Sequence, residues 1–292
     1  RPWSLWTPMA GHFTEPSRKD PGNGSRDSSA DRTAGGPHVL PRKISMDLSQ
    51  QAPAKINLFL EVVAERDDGY HDIETVFAEL PGLHDTVRLS REHKEGIRVH
   101  TDSPHIPTDN TNLIARAASA FAQSAGMRPA WAFHVDKRIP VAAGLGGGSS
   151  DAAATLRLLN RRFERCLSPE ALARIAASLG ADVPFFLAGG TALATGIGDR
   201  LHPLKGVRPL PVILVNPGFA VSTAWAYSQV RVGTAPAGGL ECMVRTLREE
   251  SASEETAPAC FNAFEPALFH KFPLLEMLRE KMVEAGAIQV RL

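Results

Sequence analysis

At residues 140–150 the chain reads Pro140-Val141-Ala142-Ala143-Gly144-Leu145-Gly146-Gly147-Gly148-Ser149-Ser150. The glycines of residues 144–148 predict a loop without regular structure, and the Ala- and Leu-rich residues 149–160 predict a helix directly after it. Such a loop lets backbone N–H groups converge on an anion, and the positive end of the helix dipole lies beneath them. The stretch therefore predicts a phosphate-binding loop, which we favour over a flexible surface linker.

This loop does not match the common nucleotide-binding motifs. It contains no GxxxxGK[ST] pattern, and GxGxxG fails because Ser149 stands at the third glycine position. A predicted strand precedes the loop and ends in Lys137-Arg138, which places cationic side chains near it. We therefore expect an anionic ligand held by a less common type of phosphate loop.

Composition limits the classes of function that the chain can have. Of its 292 residues, 43% are hydrophobic and 22% are charged, which is typical of a globular protein. Its 32 basic residues balance 32 acidic ones, so no net charge attracts nucleic acid or a membrane. The three cysteines, Cys166, Cys242 and Cys260, form no CxxC pair and favour a reducing cytoplasm over a disulfide framework or zinc cluster.

The first 45 residues differ from the rest of the chain. They are rich in Gly, Pro, Ser, Arg and Asp and show no helical or strand period, which predicts disorder. We interpret them as upstream sequence that contributes nothing to the fold. A plastid transit peptide is a weaker interpretation, because the segment contains several acidic residues, which are Glu15, Asp20, Asp27 and Asp31.

After Met46 the pattern predicts strands first and helices later. Asn112 and Ser168-Pro169 each precede a helical pattern and predict helix starts. A turn at Asp67-Asp68-Gly69 separates the first two strands. We expect helices after Ser222 and at residues 261–270 and 274–285, an exposed loop at 231–258, and strands at residues 56–62, 73–80, 86–90, 96–100, 131–137, 185–188, 212–215 and 288–292.

Three blocks together carry a resemblance to a known family. They are Ala52-Pro53-Ala54-Lys55-Ile56-Asn57-Leu58, the 140–150 loop, and Gly180-Ala181-Asp182-Val183-Pro184-Phe185-Phe186, with support from Gly69-Tyr70-His71 and Asn216-Pro217-Gly218. From about Asp47 to Leu292 the chain resembles the GHMP small-molecule kinases. The resemblance implies an α+β fold in two lobes: a ribosomal protein S5 domain 2-like ATP-binding lobe at residues 46–208 and a ferredoxin-like lobe at 209–292.

The resemblance also implies a reaction, which is transfer of the γ-phosphoryl group of ATP to an alcohol. Within the superfamily the chain resembles kinases that phosphorylate the C2 hydroxyl of a cytidine diphosphate-methylerythritol, in the non-mevalonate route to isoprenoids. Asp182 matches the catalytic aspartate, which would accept the hydroxyl proton, and Lys55 matches the catalytic lysine. Asn57 lies two residues on, on the same strand face as Lys55, where its amide can orient the hydroxyl.

Further site residues follow from the same resemblance. Tyr70, His71 and Tyr227 match residues that bind the cytosine ring. The expected ATP-binding residues are Asn112, Lys137, Pro140, Val141, Ala142, Ala143, Gly144, Leu145, Gly146, Gly147, Gly148, Ser149 and Ser150. Mg²⁺ is expected with ATP, near the hydroxyls of Ser149 and Ser150, although no acidic metal cage is visible and its ligands stay unassigned. The partners are ATP and a small-molecule substrate, and the state is a monomer or a homodimer.

Two alternatives stay open at this stage. The chain could be another GHMP kinase of the homoserine or mevalonate type, which Tyr70-His71 and the Ala54-Lys55-Ile56-Asn57 block disfavour. It could instead be a catalytically impaired nucleotide-binding fragment, which the presence of both Lys55 and Asp182 disfavours. In the family a second Gly- and Ser-rich loop follows the last strand, and the sequence ends at Leu292 where that loop would begin. The resemblance therefore implies an incomplete second lobe, poor ATP binding and slow turnover.

Overall fold

The computed structural model describes residues 48–91, 94–248 and 259–292. The predictions for residues 1–45 and for the end of the 231–258 loop therefore lie outside the described residues. Two long strands, β1 (Leu48–Glu65) and β2 (His71–Arg91), form the centre of the fold and pair antiparallel across the turn that the Asp67-Asp68-Gly69 signal predicts. Register shifts at three points along β1 bend the pair, which lets one strand serve two parts of the sheet.

A mixed seven-stranded sheet grows outward from this pair. Its order is β3-β4-β2-β1-β7, and β5 and β6 extend it beside the first half of β2. The β3–β4 and β1–β7 pairs are parallel, and the others are antiparallel. The remaining strands are β3 (Gly96–Thr101), β4 (Ala130–Asp136), β5 (Thr191–Thr195), β6 (Arg200–Pro203) and β7 (Phe261–Asn262).

Helices complete an α+β fold, as predicted. Their bounds are α1 (Leu113–Ser124), α2 (Gly147–Arg162), α3 (Pro169–Leu179), α4 (Val183–Ala188), α5 (Thr223–Gln229), α6 (Gly239–Thr246), α7 (Glu265–Lys271) and α8 (Pro273–Glu284). The predicted N-caps are confirmed, because the side chains of Asn112, Ser168 and Ser222 each accept a backbone N–H of the helix that follows. Helix α2 packs against α1, α4 and β1, so the glycine loop that precedes it lies next to the centre of the sheet.

One predicted strand is a helix. Residues 185–188 belong to α4, with Pro184 in its first turn and both Phe185 and Phe186 fully buried. A run of four apolar residues has no readable period, and a short helix buries both aromatic rings against the same core as α2. The loop prediction was also wrong at its end, because Gly147 and Gly148 form the first turn of α2.

The predictions for residues 212–215 and 288–292 were wrong as well. Neither segment is a strand, and Ile213 is 80% exposed. Apolar composition suits a strand only where a partner strand is available, and neither segment pairs with one among the described residues. Within the predicted 231–258 loop, α6 packs Met243 and Leu247 against Phe59.

The described residues after 208 therefore contain four helices, α5 to α8, and the two-residue strand β7, which joins the sheet beside β1. A ferredoxin-like lobe is not confirmed there, and the lobe boundary at residues 208/209 and the incomplete second lobe stay predictions. Among the described residues, no helix combines the length and the hydropathy that a bilayer span requires.

Candidate active site

The fold brings the two predicted catalytic residues together. Lys55 Nζ lies 3.8 Å from Asp182 Oδ2, although the residues come from β1 and from the N-terminal end of α4. The lysine side chain is 8% exposed and the aspartate side chain 34% exposed. Asp182 occupies the N-cap position of α4 but its side chain caps no backbone N–H. Its carboxylate is therefore free for another partner, which a structural cap residue would not be.

Asn57 is fixed beside this pair by a chain of hydrogen bonds. Lys55 Nζ donates to Asn57 Oδ1 at 2.8 Å, as the shared strand face predicts. Asn57 Nδ2 donates to Thr75 Oγ1 at 2.7 Å, and Thr75 Oγ1 donates to the Phe59 carbonyl at 2.6 Å. Thr75 is a site residue that sequence reasoning missed, since it lies on β2 and nothing local marks it. The chain fixes the orientation of the amide before any ligand arrives.

Burial determines the electrostatics of the lysine. Desolvation lowers the pKa of Lys55 below its ordinary value, and the negative charge of Asp182 partly opposes that shift. The ammonium also lies 4.7 Å from the centre of the Phe77 ring, which favours the charged form. The charged form of Lys55 is therefore stabilised by Asp182 and Phe77 against the cost of burial. A buried ammonium of this kind suits a site where negative charge develops during a reaction.

The glycine loop is connected to the lysine by the main chain. Lys55 N donates to the Leu145 carbonyl at 3.0 Å. Gly146 has φ +70°, and a Cβ there would lie 2.6 Å from the ring of Phe186 in α4 and 3.2 Å from Lys55 Cγ. The conformation favours glycine, and the close approach of Phe186 leaves no room for a Cβ. The loop, the lysine and the helix that carries Asp182 are thus packed against one another.

The start of α2 has the properties of an anion site. Its N-cap is Gly146, and no side chain caps its first N–H groups. The helix is 16 residues long, so its dipole is well developed. Ala142 and Gly144 also have positive φ values, +56° and +74°, which turn the loop sharply before the helix. These features agree with the phosphate loop that the sequence predicts.

Lys137, expected to lie near ATP, is the centre of a buried ion cluster. Its Nζ donates to Asp151 Oδ2 at 2.7 Å and, over a shorter distance, to Asp85 Oδ2, and its side chain is 6% exposed. Asp85 Oδ1 also accepts the N–H groups of Arg138 and Ile139, at 2.6 and 2.9 Å. The cluster therefore anchors the base of the loop, and contact of Lys137 with ATP stays a prediction.

The charged groups of this cluster shift one another's pKa values. Burial raises the pKa of Asp151 to about 7, even though the Lys137 ammonium lowers it. Burial alone would lower the pKa of Lys137, but Asp151 and Asp85 together raise it. Asp85 and Asp151 are absent from the sequence predictions, because their meeting with Lys137 is a long-range contact that no local pattern marks.

Asn112 acts as a helix cap. Its Oδ1 accepts the Ile114 N–H at 2.8 Å, and its Nδ2 donates to the Pro107 carbonyl at 2.6 Å. Both polar groups of this buried side chain are therefore bonded to the backbone. The capping interpretation accounts for the residue, and its contact with ATP stays a prediction.

The predicted substrate-binding residues are only partly assembled. The rings of His71 and Tyr227 lie 5.0 Å apart, and Tyr227 also packs edge-on against Phe264. Burial raises the pKa of Tyr227, and the negative charge of Asp182 raises it further. Tyr70 is 60% exposed at the hairpin tip. The structure thus pairs the rings of His71 and Tyr227, and the exposed ring of Tyr70, the third of the set, adjoins His71 in sequence.

The hairpin tip itself is stabilised by charge. Arg66 donates to Asp68 and to Asp72, and its backbone N–H donates to the Tyr70 carbonyl. The hydrogen bond from Arg66 lowers the pKa of Asp68 and so favours the ionised carboxylate that pairs with it. These residues were not among the predicted site residues, and they hold Tyr70 and His71 at the end of the hairpin.

Comparison with known proteins identifies similar chains. The family model described as GHMP kinases N terminal domain matches residues 112–190, which include the loop and Asp182. A 4-diphosphocytidyl-2-C-methyl-D-erythritol kinase of Pelotomaculum thermopropionicum is 40% identical over 245 residues, covering 83% of this chain and 84% of that protein. The enzyme of the same name from Chlorobium phaeobacteroides is 40% identical over 249 residues, covering 84% and 85%.

Solved structures agree with these relatives. A crystal structure of a 4-(cytidine 5'-diphospho)-2C-methyl-D-erythritol kinase superposes with a TM-score of 0.68 at 36% identity, covering 82% of this chain and 84% of that one. A homoserine kinase from Cytophaga hutchinsonii superposes with a TM-score of 0.64 at 19% identity, covering 86% and 83%. The second likeness shows a shared fold alone.

Proposed function

This chain belongs to the 4-diphosphocytidyl-2-C-methyl-D-erythritol kinase family, and on that premise we propose that Lys55 and Asp182 carry out its reaction. The enzyme phosphorylates 4-diphosphocytidyl-2-C-methyl-D-erythritol with ATP as co-substrate, in the methylerythritol phosphate route to isoprenoids. We assign the C2 hydroxyl as the acceptor. The observation that supports these roles is the partly exposed carboxylate of Asp182, which caps no backbone N–H and lies beside the buried ammonium of Lys55.

Asp182 acts as the base in this proposal. Its carboxylate accepts the proton of the C2 hydroxyl as the hydroxyl oxygen attacks the γ-phosphorus of ATP, and the bond from that phosphorus to the β-γ bridging oxygen breaks. Lys55 Nζ pairs with the carboxylate and offsets the charge that develops on the transferred group. Asn57, held by Thr75, orients the hydroxyl. Because these groups are positioned in advance, little reorganisation is needed at the moment of transfer.

The phosphates of ATP occupy the loop at residues 140–150, against the N-terminal end of α2. The uncapped N–H groups of the first turn of α2 support this placement. Ser150 Oγ is a buried polar atom without a protein partner in the described part of the chain, which also holds no cluster of three potential metal-binding side chains. These residues therefore fit Mg²⁺ only as an ion carried mainly by ATP, with the Ser149 and Ser150 hydroxyls as supplementary ligands. When bound, Mg²⁺ neutralises charge on the β- and γ-phosphates.

The cytidine end of the substrate lies against the aromatic residues of the hairpin. We assign base stacking to Tyr70 and Tyr227 and a hydrogen bond to the base edge to His71. The ring contact between His71 and Tyr227 supports this assignment, since it brings two of the three residues to one place. The free thiols of Cys166, Cys242 and Cys260 support work in a reducing compartment, and we propose the cytoplasm.

Product identification by mass spectrometry tests this function. Wild type and Asp182→Asn are incubated with ATP, Mg²⁺ and the cytidylylated methylerythritol, with homoserine and mevalonate as competing acceptors. We expect one phosphorylated product, from the cytidylylated acceptor, and loss of about 10²- to 10⁴-fold in kcat for Asp182→Asn, because a general base contributes that much.

The matched control is Glu276→Gln, which changes an exposed carboxylate on α8 to an amide. It should leave kcat unchanged, and ATP binding by Asp182→Asn should stay close to wild type. Wild-type turnover in Asp182→Asn would require another base, and phosphorylation of homoserine or mevalonate in place of the cytidylylated acceptor would overturn the substrate assignment.

A further inference from the structure

Helix α4 is held at its C-terminal end by an arginine of α2. Arg157 Nη2 donates to the carbonyl oxygen of Phe186 at 2.6 Å and to that of Leu187 at 3.0 Å. The last carbonyls of a helix have no partner within it, so these bonds complete the helix end. Asp182 stands at the other end of the same helix, about 9 Å away for six residues. Arg157 therefore holds the end of α4 that lies opposite the catalytic carboxylate.

A second residue connects the same helix end to the strand of the lysine. Glu79 N donates to the Gly190 carbonyl at 3.0 Å, and Gly190 N donates to Glu79 Oε2 at 2.7 Å. Glu79 lies on β2 directly opposite Lys55 on β1. The C-terminal end of the helix that carries Asp182 is thus hydrogen-bonded to β2, and β2 pairs with β1 at Lys55.

The hydrogen bonds of Arg157 do not belong to an ion pair. No carboxylate lies within 4.0 Å of its guanidinium among residues 48–91, 94–248 and 259–292. Burial lowers the pKa of Arg157, and the charge of Glu79 opposes that shift, but a guanidinium stays protonated throughout. A partly buried cation that binds only carbonyl oxygens contributes to the orientation of the helix that owns them.

We propose that Arg157 is a positioning residue for phosphoryl transfer. Its two hydrogen bonds hold α4 against α2. Because α2 begins at the phosphate loop, these bonds fix the distance between Asp182 and the transferred phosphoryl group. The proposal rests on the role of Asp182 given under Proposed function. In this proposal helix α2 has two roles: its first turn binds ATP, and its Arg157 positions the helix that carries Asp182.

Loss of these two hydrogen bonds should lower kcat more than it changes KM for ATP. Removal of the guanidinium leaves the carbonyls of Phe186 and Leu187 without this donor, so α4 shifts, whereas the N–H groups of the first turn of α2 that bind phosphate are retained. We expect kcat of Arg157→Ala to fall about 10- to 100-fold, because a misplacement of about 1 Å costs about that much. KM for ATP should change less than about twofold, because none of the groups at the loop is altered.

Chemical rescue separates positioning from general damage. A cavity of about 500 Å³ borders Arg157 and is lined in part by Glu79, Gly189 and Gly190, so a small ion can reach the vacated position. Free guanidinium at low millimolar concentration should restore part of the kcat of Arg157→Ala, and Arg157→Lys should give an intermediate kcat. The matched control is Arg161→Ala, which removes an arginine from the same helix that donates to the Ser49 carbonyl at 2.7 Å. Its kcat should equal that of wild type, with or without guanidinium.

The outcomes distinguish this proposal from the function on which it rests. Lowered kcat with unchanged KM for ATP, restored by guanidinium, supports positioning. Wild-type kcat in Arg157→Ala refutes it, and so does a loss that guanidinium does not restore in a variant with a wild-type melting temperature. If Arg157→Ala does not fold, Arg157→Lys supplies the test, and an unchanged kcat in that variant refutes the proposal. Wild-type kcat in Asp182→Asn would instead refute the role of the base, whatever the Arg157 variants do.

Discussion

Substitution of Gly146 by alanine tests the contact that joins the phosphate loop to both catalytic residues. The new Cβ would lie 2.6 Å from the Phe186 ring, whereas ordinary contact begins at 3.4 Å, so about 0.8 Å must be gained by movement. Phe186 is 1% exposed and cannot swing into solvent. The loop or α4 must therefore shift, and either shift changes the relation between ATP and Asp182.

The expected magnitudes follow from strain and overpacking. A non-glycine residue with φ +70° costs about 1–2 kcal/mol, and overpacking adds about 1–3 kcal/mol. We expect Gly146→Ala to lose about 2–5 kcal/mol of unfolding free energy in urea denaturation. Its kcat should fall about 100-fold in a coupled ADP-release assay, since the shift approaches 1 Å.

Gly126→Ala is the matched control for this substitution. Gly126 follows α1, has φ +63°, and a Cβ there would meet no atom within 4 Å. The variant carries the backbone strain without the clash, so it should lose about 1–2 kcal/mol and keep wild-type kcat. Equal stability loss and equal kcat in the two variants would refute the reasoning from the Phe186 contact.

Three further measurements address individual site residues. Burial lowers the pKa of Lys55 below 10.5, the ordinary lysine value, so kcat/KM should fall with rising pH as the ammonium loses its proton below pH 10.5. A kcat/KM that stays constant up to pH 10.5 would contradict a buried catalytic ammonium. Asn112→Ala should lose about 1 kcal/mol of unfolding free energy, as expected for a lost N-cap, and keep KM for ATP within about twofold; a clearly raised KM would instead support contact with the nucleotide. Tyr227→Leu should raise KM for the cytidylylated substrate about tenfold without changing KM for ATP, whereas Tyr227→Phe should resemble wild type, because stacking needs the ring and not the hydroxyl. Equal KM values in the leucine and phenylalanine variants would remove Tyr227 from the base-binding site.

Local sequence signals predicted the parts of the fold that depend on neighbouring residues. The caps at Asn112 and Ser168, the turn before Tyr70 and the loop-to-helix junction at the glycines were each readable within a few residues. The shared face of Lys55 and Asn57 also follows from strand geometry alone.

Long-range contacts could not be predicted in this way. The approach of Lys55 and Asp182 was expected only from the family resemblance, because no local rule brings β1 and α4 together. The ion cluster of Asp85, Lys137 and Asp151 was missed for the same reason. Residues 185–188 and 212–215 have similar apolar composition, yet the first is a buried helix and the second an exposed irregular segment, because packing partners decide between the two.

The bond from Lys55 N to the Leu145 carbonyl has a practical consequence for the capture of bound ligands. The main chain of the lysine, and not its side chain, holds the glycine loop, so removal of the ammonium should leave the ATP site formed. In Lys55→Met an unbranched side chain of similar length fills the buried space over Phe77, where a thioether makes a favourable contact with an aromatic ring. Such a variant should bind ATP and the cytidylylated acceptor together without consuming them. It would serve as a trap for crystallising the intact ternary complex.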